Sequence, residues 1–433
     1  MPSFSGLPGF RDFYPAEFAV RAHIQNAWRE TARRYGYEEY DGPPLEPLEL
    51  YTEKSGEEIV RQLYNFVDKG ERAVALRPEM TPTFARMVGA RAGGIRKPIR
   101  WFSIPQLFRY ERTQRGRLRE HFQWNVDLVG EVDPAADAEV LAVGLDGLRA
   151  LHLTADDIVA RVNDRRLLDT LLDQLGLSAV QRGAAYGVID KLGREPHGES
   201  LRRLRSEAGL SAGTADAVLN IVETDDLDAL EDRYRSDAVT EHVVRLRRYF
   251  ETLKHLGLGD FVTFDPTIVR GLAYYTGIVF EIFDRKGELR AICGGGRYDS
   301  LLSNVSDADL PACGFGMGDV VLGELLKERN LLAEAVTRLD YYIVAVTEDE
   351  RPLQRQLAQA LRARGNAVSY GFSAAGVGKQ FKDANARGAI NVVVVGPDEV
   401  KQDAVVIKEM ASGTEKRVNL TKLLKGEELA NDG

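Results

Sequence analysis

Arg112, Arg115, Arg117 and Arg119 crowd one short stretch of the chain and meet no acidic side chain until Glu120. Planar guanidinium groups gathered in this way suit bidentate pairing with phosphate. Just before them, in FRYE, Arg109 and Glu111 alternate with Phe108 and Tyr110, a spacing that predicts a strand with both polar groups on one face. HFQWNVDL follows the basic loop and alternates again, with Phe122, Trp124, Val126 and Leu128 to one side and Gln123, Asn125 and Asp127 to the other. A hairpin through the loop would gather Arg109, Glu111, Gln123 and Asp127 into one constellation on a sheet surface. An ordinary amphipathic hairpin with a solvated face has the same pattern. The unrelieved arginine loop is what favours the chemical reading.

A second cluster lies in residues 268–299, IVRGLAYYTGIVFEIFDRKGELRAICGGGRYD. The apolar runs IVFEIF and RAIC flank the turn-like DRKGE and predict an antiparallel hairpin. Arg270 and the pair Tyr274 and Tyr275 precede it, while Gly294, Gly295 and Gly296 follow, then Arg297, Tyr298 and Asp299. Consecutive glycines continuing a strand weaken it and leave bare backbone, which suits close approach of a ligand. Upstream, LRPEMTPTFARM places Arg77, Glu79 and Thr81 ahead of a helical run, with Thr81 in the role of cap and Pro82 at the first helical position.

The remaining elements must position these groups. Val20, Ile24 and Trp28 recur at helical spacing between Pro15 and the stop at Gly36, giving a helix over 16–35. GYEEYDGPPLEPLELY is too rich in proline for a central strand and suits an edge strand or an interface. Residues 166–234 change to short helical runs, LLDTLLDQLG, SLRRLRSEAG and AVLNIV, and form a helical insertion in a catalytic domain spanning 1–327. A linker over 328–338 leads to a separate α/β unit at 339–433, where YYIVAV and NVVVVG have the continuous apolar character of buried parallel strands. Between them ERPLQRQLAQALRARG is a helix with Leu353, Leu357 and Leu361 along one stripe.

The 433-residue length allows two or three domains, and with 44% hydrophobic and 28% charged residues the composition is that of a soluble globular chain. No apolar stretch is long enough to span a bilayer, the N-terminus lacks the pattern of a signal peptide, and Cys293 and Cys313 are too few for a disulfide framework. A reducing cytoplasm is the expected location. The six histidines form no metal-ligand spacing, so no structural metal site is expected. The net charge of −9 weighs against nucleic acid globally but not against local basic clusters.

FRYERTQRGRLREHFQWNVDLVG resembles motif 2 of class II aminoacyl-tRNA synthetases, and VRGLAYYTG with CGGGRYD resembles the two motifs particular to the histidyl-tRNA synthetase family. The opening GLPGFRDFYP, the GY…P segment at 36–43, LRPEMT and KQFKDANARGA match that family in the same order, so the resemblance covers nearly the whole chain. It implies an α+β catalytic domain on an antiparallel sheet, carrying a helical insertion, and a C-terminal α/β anticodon-binding domain. It also implies activation of histidine with ATP to histidyl-adenylate and transfer to the 3′ end of tRNA(His), by a homodimer that takes Mg2+ with its ATP.

By the same resemblance, Arg109 binds the α-phosphate, Glu111 contacts the adenine and Arg117 reaches the outer phosphates, while Arg270 neutralises charge during adenylate formation. Glu79, Thr81 and Gln123 hold the α-amino group of histidine. Asp127 and Tyr275 bond the imidazole, Tyr274 and Tyr298 wall it, and Arg112, Gln114 and Arg115 meet the tRNA acceptor end. Arg202, Arg203 and Arg205 of the insertion either touch the acceptor arm or form a solvated helix face. Lys379, Lys382, Arg387 and Lys401 offer a backbone-binding face in the last unit. Two departures stand out: RGLAYY has Ala273 where the family has aspartate, and GFGMGDVVLGELL places Val321 where its third motif carries an arginine that clamps ATP. Arg297 is the substitute suggested for that contact. The rival reading is a non-catalytic paralogue, the regulatory subunit of ATP phosphoribosyltransferase in histidine biosynthesis, which typically lacks the C-terminal domain.

Overall fold

The computed structural model describes residues 5–52, 60–192, 195–269, 275–306, 308–332, 339–373 and 375–427. It divides into two compact units, Met1–Glu334 and Ala335–Gly433.

A nine-stranded mixed sheet organises the first unit, in the order Glu38–Glu39, Ile99–Ser103, Glu120–Val129, Ala312–Gly318, Cys293–Arg297, Ile278–Asp284, Ile158–Asp164 and Val262–Phe264. Gln106–Phe108 pairs with the start of Glu120–Val129, off this line. The pairings are antiparallel except at the two edges, where Glu38–Glu39 and Val262–Phe264 run parallel to their neighbours. Period-two alternation in Glu120–Val129 decides what each face does. Trp124, Val126 and Leu128 are buried on the side covered by helices Pro15–Arg34 and Pro134–Arg149, where Trp28 stacks on Trp124 with ring centroids 5.8 Å apart. Gly147 lets the second helix close on this ring, since a Cβ there would lie 2.4 Å from Trp124. Gln123, Asn125 and Asp127 are left for the opposite face.

Helices Arg165–Gln174, Ala179–Ile189, His197–Ser206, Ala212–Val222 and Leu227–Arg233 follow the strand Ile158–Asp164. Asp164, Ser178, Ser211 and Asp226 cap four of them with side-chain oxygens, the chemistry that starts a helix. Here Arg202 pairs with Glu199, and Arg203 with Glu195 and Glu207, so two of the three insertion arginines lie in local ion pairs.

Three local expectations change. The second strand of the central hairpin begins at Cys293 and consists largely of the glycines, which make the strand rather than weaken its end. It is hydrogen-bonded on both sides, and a Cβ on Gly295 would sit 2.4 Å from the Gly314 carbonyl oxygen and 2.6 Å from Phe315. The strand expected through FRYE stops at Phe108, because the Glu111 N–H turns back to the Arg109 carbonyl at 2.8 Å and breaks the alternation. Thr81 is the first residue of helix Thr81–Gly89, and Met80 occupies the cap position.

In the second unit the sheet order is Val368–Tyr370, Leu339–Ala345, Ala389–Val395, Ala404–Glu409 and Glu415–Asn419, the first three parallel and the rest antiparallel. Helix Arg351–Arg362 carries Leu357 and Leu361 into its core, and Gly365 ends the turn after it with φ +86. Among the described residues no helix is long and apolar enough to cross a membrane.

Candidate active site

Sheet register builds the floor of the site. Asp127 lies opposite Gly314, itself opposite Gly296, while Asn125 lies opposite Gly316, itself opposite Gly294. Asp127 and Gln123 therefore lie over glycines of the neighbouring strand Ala312–Gly318. A Cβ on Gly314 would lie 2.4 Å from Asp127 Oδ1 and 3.0 Å from the Tyr298 hydroxyl, and one on Gly316 would come within 2.8 Å of the Gln123 amide. A Cβ on Gly296 would be 3.0 Å from the ring of Tyr275. The glycines are thus the space in which Asp127, Gln123, Tyr275 and Tyr298 lie.

The Tyr298 hydroxyl donates to Asp127 Oδ1, and both residues are buried. Burial pushes the Asp127 carboxyl up to about 7, against the opposing pull of the Tyr298 hydrogen bond. Tyr275 and Tyr298 belong to the same apolar cluster as Phe84 of helix Thr81–Gly89, which brings Thr81 and the buried Glu79 to this side of the sheet. A carboxyl and phenols in an apolar recess can hold a nitrogen heterocycle by its N–H groups.

Beside this recess runs a cationic strip. Arg77 is buried and braces three segments, its Nη1 donating to Asp41 Oδ1 and the Gly42 carbonyl at 2.7 Å each, and its Nε to the Gln106 carbonyl at 3.0 Å. Residues 77–79 are held along 106–109 by Phe108 N–H to the Arg77 carbonyl at 3.0 Å and by Arg109 Nε to the Pro78 carbonyl at 2.8 Å. Burial, then Arg109 and Arg11, push His121 down to about 3, so this imidazole stays neutral at physiological pH. Arg117 forms an ion pair with Glu111, the residue expected at the adenine.

Arg112 and Gln114 are exposed on the loop. Arg115, expected at a tRNA end, is instead paired with Glu324 at 2.9 Å and with Glu328. Arg297 cannot replace the missing third-motif arginine. Its register places it on the helix-covered face, where it pairs with Asp137 at 2.6 Å, both side chains almost fully buried. Arg270 and Tyr274, with Ala273, lie outside the described residues.

Some functional geometry has no local sequence signal. Gly314 and Gly316 lie far in sequence from the side chains they accommodate. So does the network in which Arg11 donates to Glu120 at 2.6 Å and pairs with Asp319 at 3.0 Å, while Asp319 accepts the Phe122 N–H at 2.9 Å. This network ties the start of helix Asp319–Glu328 to the start of strand Glu120–Val129. Only an alignment of remote segments, such as the resemblance provided, could have suggested it.

The family profile described as histidyl-tRNA synthetase matches residues 9–318, and that of the anticodon binding domain matches residues 340–426. The chain belongs to the histidyl-tRNA synthetase family. A histidine–tRNA ligase of Opitutus terrae is 44% identical over 96% of this chain and 96% of its own length. The chloroplastic/mitochondrial histidine–tRNA ligase of Arabidopsis thaliana is 40% identical over 96% of this chain and 85% of its own. The crystal structure of histidyl-tRNA synthetase from a Nostoc species aligns over all of both chains with a TM-score of 0.84 at 24% identity, which establishes the shared fold. The fold class expected from the sequence is the one found.

Proposed function

We propose that this protein is an ATP-dependent histidine–tRNA ligase. The observation that carries the proposal is that relatives named histidine–tRNA ligase are 40–44% identical over 96% of the chain, while the buried Asp127 lies on the strand with which Gln106–Phe108, just before Arg109, is paired. Asp127 and Tyr275 would bond the imidazole, with Tyr298 and Tyr274 as walls. Glu79, Thr81 and Gln123 would take the α-amino group. The histidine carboxylate would then attack the α-phosphorus of ATP, forming the acyl–phosphate bond as the bond to pyrophosphate breaks. Arg109 and Arg270 would stabilise the negative charge that gathers on the phosphate, a task for which fixed cations are effective. Glu111 would meet the adenine and Arg117 the outer phosphates, each leaving the other. No group of three or more His, Cys, Asp or Glu suited to a metal ion occurs among the described residues. Mg2+ would enter with ATP, held mainly by its phosphates.

The adenylate would pass its histidyl group to the 3′ end of tRNA(His), with Arg112 and Gln114 at the acceptor end and Arg115 joining them on leaving its carboxylates. We place the enzyme in the cytoplasm as a homodimer, and assign the catalytic domain to 1–327, interrupted at 166–234, and the anticodon-binding domain to 339–433. The regulatory paralogue is not favoured, since the residues matched at 340–426 are the domain it typically lacks. Purified protein should exchange labelled pyrophosphate into ATP when histidine is supplied and with no other amino acid. Failure of a folded sample to do so would return the regulatory reading to first place.

For the second unit we place anticodon contact at the C-terminal ends of its parallel strands, where open α/β sheets bind ligands. Phe372 follows strand Val368–Tyr370, is 87% exposed and lies edge-on to Tyr370 with centroids 5.4 Å apart. Arg351 Nη1 donates to the Phe372 carbonyl at 3.3 Å. An exposed ring beside a cation suits stacking on an unpaired base, which contributes about 1–3 kcal/mol. Phe372→Ala should raise the KM for tRNA roughly 10-fold and leave pyrophosphate exchange untouched. An unchanged KM in steady-state charging would remove Phe372 from that surface.

A further inference from the structure

The arginine loop is seated on helix Asp319–Glu328. Gln114 and Arg117 close its tip by paired backbone hydrogen bonds of 3.1 and 2.9 Å, with Arg115 and Gly116 at the two central positions. Gly116 has φ +72, a left-handed conformation that suits glycine in the second central position of a tight turn. Its N–H donates to Glu324 Oε1 at 3.2 Å, Arg115 Nε donates to Glu324 Oε2 at 2.9 Å, and Arg115 Nη2 pairs with Glu328. One carboxylate therefore holds both central residues of the turn.

Val321 completes the seat. A Cβ on Gly116 would lie 3.2 Å from Val321 Cγ2, so the turn rests almost directly on that side chain. Val321, Glu324 and Glu328 follow one another along a single helix face. A long cationic side chain at 321 would have to displace the turn that covers it. The departure from the family pattern and the seating of the loop are thus the same feature. Position 321 gives up its own contact with ATP and provides the floor on which the loop is held.

The consequence reaches Arg117, which closes the turn and also pairs with Glu111, so fixing the tip fixes the direction from which Arg117 points. We propose that Glu324 is a positioning residue for ATP: by gripping Arg115 and Gly116 it holds Arg117 and Glu111 where the nucleotide takes them up, in compensation for the absent arginine at 321. This rests on the histidine–tRNA ligase reading. The seat is partly exposed, so its effect is modest. Glu324→Ala and Arg115→Ala should each raise the KM for ATP in pyrophosphate exchange by roughly 3- to 10-fold, with the KM for histidine unchanged. Combining them should do less than the product of the two, because the Arg115–Glu324 contact is lost in both while Gly116–Glu324 and Arg115–Glu328 are each lost in only one. Glu324→Gln, which keeps an acceptor for Gly116 but loses the charge, should fall between wild type and Glu324→Ala.

The steady-state constants of these four variants and the wild type decide the matter. A KM for ATP that does not move, effects that add, or equal rises in both KM values, as general loosening would give, each overturn the seat. If the wild type shows no histidine-dependent exchange, the ligase reading falls and takes this one with it. Normal exchange with an insensitive KM for ATP removes the seat alone.

Discussion

Arg109→Ala is expected to slow histidine-dependent pyrophosphate exchange by about 10³-fold, the scale on which removing one fixed charge-stabilising donor acts on a developing oxyanion. The structure argues for a large effect because Arg109 is aimed rather than merely near. Its backbone N–H donates to the Arg119 carbonyl at 3.0 Å, and its Nε is fixed on the Pro78 carbonyl at 2.8 Å, which leaves the terminal nitrogens for phosphate. A guanidinium held at one nitrogen loses little freedom when the others engage. Arg109→Lys keeps the charge but cannot both grip Pro78 and fork onto phosphate, so it should recover only a small part of the rate. The fold should survive, since what is lost is one hydrogen bond of about 1 kcal/mol at a half-buried position. Single-turnover adenylate formation at saturating ATP is the measurement, and a rate within tenfold of wild type would remove Arg109 from the α-phosphate.

How much of this was legible beforehand depended on whether the decisive contact was local in sequence. The alternation of Glu120–Val129 was readable because period two follows from backbone geometry, and it placed Gln123 and Asp127 on the correct face. The α/β beginning of the second unit was readable for a similar reason, as its buried parallel strands are continuous apolar runs. The FRYE strand failed at Arg109 because a three-residue turn there leaves no mark on hydrophobic pattern. The glycine strand was misjudged by an average property. Glycine weakens a strand whose side chains would otherwise pack, but between Gly314 and Phe280 there is no room for any. Arg297 shows the limit of proximity in sequence: next to Tyr298, it points to the other face and to Asp137, which no spacing rule connects to it. Arg115 and Glu324 are similarly remote, so a loop that looks open to phosphate is partly neutralised by a helix more than two hundred residues on.

Asp127→Asn should make the free protein more stable and a far poorer histidine-activating enzyme. The Asp127 carboxyl rises from an ordinary 3.8 to about 7 because burial penalises its charged form. For an acid raised on folding, the penalty is absent below pH 4, grows as pH climbs toward 7 and is fully present above it. At pH 8 the shift corresponds to at most about 4 kcal/mol of lost stability, which a neutral amide would relieve while still accepting from Tyr298. Urea unfolding should therefore give a higher midpoint for the variant at pH 8, and a gap that closes toward pH 4. Function should move the opposite way. On the proposed reading the charged acceptor is what an imidazole N–H would gain on entering the recess, and a charge-assisted hydrogen bond is about twice as strong as a neutral one. A carboxamide must also turn an oxygen to both Tyr298 and the ligand or present an N–H to one of them. We expect kcat/KM for histidine in pyrophosphate exchange to fall by about 10²- to 10³-fold, with the KM for ATP much less affected. A variant that activates histidine normally would show that the buried carboxylate serves the fold and not the substrate, and one destabilised at pH 8 would show that its charge is not strained at all. Stability withheld in the empty site and returned on binding the right side chain is how one residue can both weaken the protein and select its substrate.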